Sequence, residues 1–79
     1  MSNLERYNNI FMETLGVEEY QLKGLAYQGV PSWDSVRHMA MTAAIEEAFN
    51  IMMETDDIID FSSYEKGIEI LKAKYDVEF

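Results

Sequence analysis

Residues 31–39 read Pro-Ser-Trp-Asp-Ser-Val-Arg-His-Met, and this stretch marks the change from a long loop to a helix. Asp34 is a favourable N-cap, because its carboxylate can accept hydrogen bonds from the unpaired N–H groups of the first helical turn. Ser35 is then the first residue inside the helix, with its hydroxyl beside those N–H groups. A helix N-terminus attracts anions through its free donors and the positive end of its dipole. The sequence therefore places Ser35 where a covalently attached phosphate diester would be stabilised.

Hydrophobic spacing and capping residues predict helices over about residues 3–15, 35–49, 56–60 and 63–75, in a single domain that spans residues 1–79. Residues between the first two helices have no sustained helical period, apart from one expected turn near residues 18–22. They are expected to form an ordered loop across the bundle. No strand pattern is present. The predicted fold is therefore all-α, a small four-helix bundle with three longer helices, one short helix and a long first loop.

Four capping signals set the predicted helix ends. Ser2 and Glu5 form a capping box before the first helix, and Gly16 is expected to end it. Thr55 is expected to cap the short third helix. Ser62 and the glutamate three residues later predict a second capping box before the last helix. Gly67 lies inside that last helix, where glycine is unfavourable, so close packing against it is expected.

Residues at helical spacing predict the face that each long helix buries. In the order of the chain they are Leu4, Tyr7, Phe11 and Leu15; then Met41, Ile45, Ala48, Phe49 and Met52; then Tyr64, Ile68, Leu71 and Tyr75. The second helix also carries a second apolar strip, more than one bundle contact requires, which consists of Val36, Met39, Ala40 and Ala43. The acidic side chains of the second and third helices, including Asp56, Asp57 and Asp60, are expected to form a solvated face.

Composition excludes several classes of function. The chain has 79 residues and a net charge of −9, which argues against nucleic acid and anionic membrane surfaces as partners and favours basic protein surfaces. It has no cysteine, so it has neither disulfides nor a thiolate metal site. Its aspartates do not match a calcium-binding loop, and no metal site is expected. The sequence lacks both a secretory signal and a membrane-spanning run, so a cytoplasmic protein without membrane insertion is expected.

Asp34-Ser35-Val36, followed by an apolar and acidic helix, resembles the Asp-Ser-Leu attachment motif of acyl carrier proteins. Residues 15–17 (Leu-Gly-Val), 45–49 (Ile-Glu-Glu-Ala-Phe) and 61–64 (Phe-Ser-Ser-Tyr) also look like that family at the expected separations. The resemblance covers the chain from about Leu4 to Tyr75. It implies a four-helix fold in which Ser35 carries 4'-phosphopantetheine, derived from coenzyme A, and in which Asp34 supports the attachment.

The resemblance also implies partners and a place for the cargo. A phosphopantetheinyl transferase would load the chain, and acyl-loading and acyl-transfer enzymes with basic docking surfaces would bind it. The residues implied in docking are Glu46, Glu47, Val36 and Met39. An acyl cleft between the second and third helices would be lined by Val36, Met39, Met53, Ile58 and Phe61. The chain itself would be non-catalytic, because partner enzymes bring the chemistry. It is expected to be a monomer.

Some residues depart from the family pattern. Trp33 replaces a small residue, either as a half-buried cover over the cofactor root or as a loop anchor, and Arg37 and Ala40 stand where many members are acidic. Trp-Asp-Ser is similar to specialised free-standing carriers, including D-alanyl carriers. This implies a specialised lipid, polyketide or surface-polymer pathway rather than housekeeping fatty acid biosynthesis. The cargo, acyl or aminoacyl, stays open.

Two alternatives come from other classes of protein. The chain could be an acidic helical adaptor that has the same fold and binds a partner without any cofactor. It could also be a small hydrolase that uses Ser35 as nucleophile and His38, one turn later, as base. The hydrolase is disfavoured, because the sequence shows no strained strand-to-helix elbow and no oxyanion hole. Modification of Ser35 separates the carrier from the adaptor.

Overall fold

The computed structural model describes all of residues 1–79 and contains four α-helices: α1 (Asn3–Leu15), α2 (Ser35–Phe49), α3 (Thr55–Asp60) and α4 (Tyr64–Lys74). A 3-10 turn at Glu19–Gln21 lies in the long loop between α1 and α2, where one turn was expected. The predicted all-α class and small four-helix bundle are confirmed. None of these helices has the length and hydrophobicity that crossing a membrane requires.

The ends of α1 and α2 agree with the sequence prediction. Ser2 Oγ accepts a hydrogen bond from the backbone N–H of Glu5, whose carboxylate in turn accepts one from the N–H of Ser2. Gly16 ends α1 in the left-handed conformation, with φ of 66°. Asn50 ends α2 in the same conformation, with φ of 54°. Asparagine tolerates this region better than most residues, so the sequence of α2 fits a helix that ends at Phe49.

The predicted caps of α3 and α4 are wrong by one residue. Ser63, not Ser62, accepts a hydrogen bond from the N–H of Lys66 at 2.9 Å and caps α4. The reason is tertiary: the Ser62 carbonyl accepts from Tyr27 N–H at 2.9 Å, within an isolated antiparallel bridge between the loop and the start of α4. Thr55 is the first residue of α3, and the cap position before it makes no side-chain hydrogen bond.

The core consists of fourteen buried hydrophobic residues, which come from α1, α2, α4, the long loop, the segments on either side of α3 and the C-terminal segment. Six of the thirteen predicted inward residues are among them, namely Tyr7, Phe11, Leu15, Met41, Ile45 and Leu71. Four more are partly buried against this core, namely Phe49, Tyr64, Ile68 and Tyr75. Leu4, Ala48 and Met52 are exposed, contrary to the prediction. Met52 follows the end of α2 at Asn50, so helical spacing no longer applies to it, and its neighbour Met53 is the buried residue.

Close packing between α1 and α4 depends on Gly67, as the sequence predicted. A Cβ atom at this position would overlap the hydroxyl of Tyr7 and the ring of Phe61. The Tyr7 hydroxyl donates a hydrogen bond to the Tyr64 carbonyl at 2.7 Å. Burial raises the pKa of Tyr7, so this hydroxyl stays a neutral donor. The absence of a side chain at position 67 therefore lets the aromatic cluster of α1 reach the backbone of α4.

The long loop is held by hydrogen bonds to α4 near its middle and to α1 near its C-terminal end. Leu25 O accepts from Tyr64 N–H at 2.8 Å, and Gly24 N–H donates to the Glu65 carboxylate at 2.8 Å. Near the C-terminal end of the loop, Ser32 Oγ donates to Leu15 O at 2.7 Å, which satisfies a carbonyl at the C-terminus of α1. These contacts fix the position at which the chain enters α2.

The six-residue helix α3 is held by side chains from the end of α4. Asp57 accepts hydrogen bonds from Lys74 Nζ at 2.7 Å and from the Tyr75 hydroxyl at 2.5 Å. The Tyr75 hydroxyl in turn accepts from Glu54 N–H at 2.8 Å. Asp57 is only 2% exposed, so its predicted place on a solvated face is wrong. A helix this short has little stability of its own, and the hydrogen bonds that Asp57 accepts from Lys74 and Tyr75 compensate for that.

The ion pair between Asp57 and Lys74 makes the stability of the fold depend on pH. The hydrogen bond from Lys74, joined by one from Tyr75, lowers the pKa of Asp57, and the same contact raises the pKa of Lys74. A lowered carboxyl pKa stabilises the fold at pH values above the ordinary carboxyl pKa, and this stabilisation is lost as pH falls through the lowered pKa. A raised lysine pKa stabilises the fold at pH values below the ordinary lysine pKa, and this stabilisation is lost as pH rises through the raised pKa. The full effect is therefore present between about pH 5 and pH 10.

We predict that Asp57→Asn lowers the thermal unfolding midpoint by several degrees between about pH 5 and pH 10, and that the difference from the native chain shrinks below about pH 4. Asp56→Asn is the matched control, because Asp56 lies in the same helix but is exposed, and it should change the midpoint little. The measurement is thermal unfolding followed by circular dichroism across this pH range. A difference for Asp57→Asn that does not change with pH would contradict the role of the ion pair.

Candidate functional site

Ser35 is exposed at the first position of the 15-residue helix α2. Asp34 precedes it in an extended conformation, and its Oδ1 accepts a hydrogen bond from Arg37 N–H at 2.9 Å, as the sequence predicted. The backbone ladder of the helix begins at His38 N–H, which donates to Asp34 O at 2.8 Å. The N–H groups of Ser35 and Val36 precede this first bond and point out of the helix start. Ser35 therefore combines an accessible hydroxyl with a local environment that favours negative charge.

A groove of about 220 Å³ opens beside Ser35. Its walls come from the loop, α2, α3 and the segment between α3 and α4. The lining residues are Tyr27, Ser35, His38, Met39, Ile58, Ile59, Phe61 and Ser62. Because most of these are apolar and the groove reaches Ser35, a hydrophobic group tethered to that serine could lie in it.

The groove contains three of the five residues named for an acyl cleft, Met39, Ile58 and Phe61. Val36 and Met53 do not line it. The Val36 side chain is 74% exposed and lies on the outer surface of α2, whereas Met53 is buried in the core. Within the second apolar strip of α2, Met39 therefore lines the groove and Val36 faces solvent. Helical spacing alone does not distinguish these two positions.

Sequence reasoning missed four lining residues of the groove, namely Tyr27, His38, Ile59 and Ser62. Tyr27 lies in the aperiodic loop, and it reaches the groove only because its N–H pairs with the Ser62 carbonyl. No local pattern carries that information. Ile59 lines the groove next to Ile58, although the predicted cleft contains only Ile58 of this pair.

His38 joins the loop to α3 across the groove. The indole Nε1–H of Trp33 donates to His38 Nδ1 at 3.0 Å, and the other ring nitrogen lies 2.8 Å from Ile58 O. An indole N–H can only donate, so Nδ1 is the acceptor and Nε2 carries the proton that is donated to Ile58. Both ring nitrogens are therefore engaged in structural contacts, and neither is arranged as a base for the Ser35 hydroxyl.

Trp33 is 0% exposed, so the alternative of a half-buried cover is wrong and the loop-anchor alternative describes its position. Its ring packs edge-on against Phe11, with centroids 5.4 Å apart, and stacks near His38 at 6.1 Å. A buried indole requires a partner for its N–H, and His38 supplies that partner. The residue directly before the Asp34 cap is consequently fixed in the core.

The two glutamates of α2 have different surroundings. Glu47 is exposed, as expected for a docking residue. Glu46 is half-buried, and its Oε2 accepts a hydrogen bond from Met53 N–H at 2.8 Å. It therefore holds the chain segment that follows α2, although the sequence assigned it to the outward face. Val36 and Met39, 74% and 55% exposed, remain accessible apolar residues near Ser35.

Other features offer no comparable site. A depression of about 500 Å³ on α4 is larger, but it shares no lining residue with the Ser35 groove and is bordered mainly by Glu65, Glu69 and Lys72. No group of three or more His, Asp or Glu side chains is arranged to hold a metal ion. Comparison of the chain with protein-family models, with curated proteins and with solved structures finds no match. The assignment of a site therefore rests on the geometry around Ser35.

We predict that Glu46→Ala lowers the unfolding midpoint by about 5 °C, because it removes the acceptor of the Met53 N–H, a loss of about 1 kcal/mol in a chain of this size. Glu47→Ala removes the same charge from an exposed neighbour and should leave the midpoint unchanged within about 1 °C. Thermal unfolding of the two variants at neutral pH is the measurement. Equal midpoints for both variants would show that the Glu46 contact does not stabilise the fold.

Proposed function

We propose that this chain is an acyl carrier protein, which carries acyl or related intermediates as thioesters on a 4'-phosphopantetheine arm attached to Ser35. The observation that carries the proposal is the position of Ser35. It is exposed, opens a capped 15-residue helix and borders an apolar groove of about 220 Å³. The Trp-Asp-Ser-Val motif and its resemblance to the attachment motif of that family support the same function.

The residues around Ser35 fit a phosphodiester. The free N–H groups of Ser35 and Val36 and the positive end of the helix dipole stabilise an anion at this place. Arg37, exposed two residues later, adds a positive charge at this end of α2, with its guanidinium 3.5 Å from Thr14 O near the end of α1. Asp34 holds the first turn through Arg37 N–H, so the Ser35 hydroxyl is presented in a fixed place. The bound arm supplies a terminal thiol that holds the cargo, and the chain's own residues supply position and shelter.

The surface next to Ser35 suits enzymes with basic docking patches. The net charge of −9 favours encounters with such surfaces over long distances, and the exposed Asp34 and Glu47 place acidic groups on α2 near the attachment serine. Val36 and Met39 offer apolar contact area between them. These partners are the phosphopantetheinyl transferase and the acyl-loading and acyl-transfer enzymes of a specialised lipid, polyketide or surface-polymer pathway.

The test is the intact mass of the purified chain after incubation with coenzyme A and a broad-specificity phosphopantetheinyl transferase. In this reaction the Ser35 oxygen bonds to the phosphorus of the phosphopantetheine unit, the pyrophosphate bond of coenzyme A breaks, adenosine 3',5'-bisphosphate leaves, and the hydroxyl proton passes to solvent. We expect one phosphopantetheine on the native chain and none on Ser35→Ala. Thr55→Ala is the matched control, because Thr55 is an exposed hydroxyl residue at the first position of α3, and it should be loaded like the native chain.

Absence of a mass gain on the folded native chain, with several transferases, would contradict the carrier proposal. The better description would then be an acidic helical adaptor that uses the same surface without a cofactor. A gain that persists in Ser35→Ala would place the attachment at another residue and would contradict the assignment of Ser35.

A further inference from the structure

We infer that the His38 imidazole closes the inner end of the groove and limits the carrier to short acyl groups, up to about octanoyl. This inference rests on the proposed function, and it names the cargo class of the same site. It follows from the size of the groove, from the side chains at its inner end and from the exposure of its outer end.

The size of the groove sets an upper limit on what it can shelter. Its volume is about 220 Å³. A group of about the size of a water molecule occupies roughly 30 Å³, so the groove has room for about seven such groups. Seven methylene and methyl groups beyond a thioester carbonyl correspond to an octanoyl chain. The apolar side chains of Met39, Ile58 and Ile59 favour hydrocarbon over a charged cargo.

The inner end of the groove is closed by His38 and Phe61. The imidazole spans from α2 to the backbone of α3, where Nε2 lies 2.8 Å from Ile58 O. Behind the imidazole is Trp33, which is fully buried. Phe61 is 1% exposed, and its ring lies edge-on to His38 with centroids 5.9 Å apart. A chain that extended further inward would have to displace the imidazole.

Displacing the imidazole breaks two hydrogen bonds at once. The Ile58 carbonyl loses its side-chain donor, and the Trp33 indole N–H loses its acceptor inside the core. A buried donor without a partner is costly, because it has lost water without gaining a replacement. The methylenes that enter would have to offset both losses. The groove should therefore end at His38 for any cargo of ordinary length.

The outer end of the groove offers little shelter to a longer chain. Met39 is 55% exposed and Ile59 is 70% exposed, so hydrocarbon beyond them would lie on a surface that is open to water. Burial of apolar area is what stabilises a bound chain, and partly exposed methylenes contribute less of it. Stabilisation should therefore increase with chain length only until the groove is filled.

The experiment uses a transferase to load acetyl-, butyryl-, hexanoyl-, octanoyl-, decanoyl- and dodecanoyl-coenzyme A onto the native chain and onto His38→Ala. Thermal unfolding midpoints are compared with that of the unacylated holo form of the same variant. In the native chain, the midpoint should rise by several degrees with each two-carbon step up to about octanoyl and then level off. In His38→Ala it should continue to rise through dodecanoyl, because the inner end is open.

Two further variants separate groove length from a general loss of stability. His38→Gln carries a carboxamide that can accept from Trp33 and donate to Ile58, so the break near octanoyl should persist. Met52→Ala truncates an apolar residue that is 85% exposed and does not line the groove, and it should give the native series. Because His38→Ala can unfold, the native octanoyl and dodecanoyl forms are also compared by NMR. The Trp33 indole N–H should stay protected from exchange with water in both.

A native midpoint that continues to rise through dodecanoyl, a break at the same length in His38→Ala, or loss of indole protection on dodecanoyl loading would each overturn the inference. These results differ from failure of the proposed function. If no acyl-phosphopantetheine is attached to the native chain, the carrier proposal fails and the inference fails with it. If loading is normal and the series has no break, only the limit set by His38 is overturned.

Discussion

The hydrogen-bonded bridge from Trp33 through His38 to Ile58 joins the long loop, α2 and α3 at one point. Its distances are 3.0 Å from the indole nitrogen to His38 Nδ1 and 2.8 Å from Nε2 to the Ile58 carbonyl. The bridge allows a large aromatic side chain at the end of the loop to be completely buried, since it pairs the indole N–H within the core. Asp34 and Ser35 follow directly, so the start of α2 is fixed relative to the core and Ser35 is directed outward.

The same bridge connects Ser35 to the groove. His38 is one turn after Ser35, and its imidazole is both a wall of the groove and a contact with α3. Helix α3 is short, and side chains from elsewhere in the chain hold it and the segment before it. These side chains include Asp57 with its partners in and after α4, and Glu46, which holds the N–H of Met53. The shape of the groove therefore depends on these polar contacts as well as on apolar packing.

Local signals in the sequence predict much of the fold. Periodicity and caps set the bounds of α1 and α2, because Ser2, Gly16 and Asp34 act through hydrogen bonds or backbone conformations within a few residues. The wrong predictions occur where contacts between residues far apart in the sequence determine the structure. Ser62 does not cap α4, because its carbonyl pairs with Tyr27. Asp57 is buried, because Lys74 and Tyr75 reach it from the end of the chain.

In the candidate site too, local structure can be predicted from the sequence, whereas contacts between distant residues cannot. Ser35 and Asp34 can be placed from the sequence, because a helix start is a local structure. The groove cannot be placed in the same way: Val36 and Met53 were expected in it, whereas Tyr27, His38 and Ile59 line it instead. A tryptophan and a histidine five residues apart do not reveal that they share a hydrogen bond. That contact requires the loop to fold back over Phe11, which no short pattern encodes.

The His38 imidazole anchors Trp33 by a hydrogen bond and, as we infer, closes the groove. The most direct measurement is a nitrogen-15 NMR spectrum of the His38 imidazole in the native chain at neutral pH, together with the exchange rate of the Trp33 indole proton. We expect a single tautomer with the proton on Nε2, Nδ1 as acceptor, and an indole proton that exchanges slowly. A proton on Nδ1, or an indole proton that exchanges as fast as one in an unfolded chain, would show that His38 does not bridge Trp33 and Ile58.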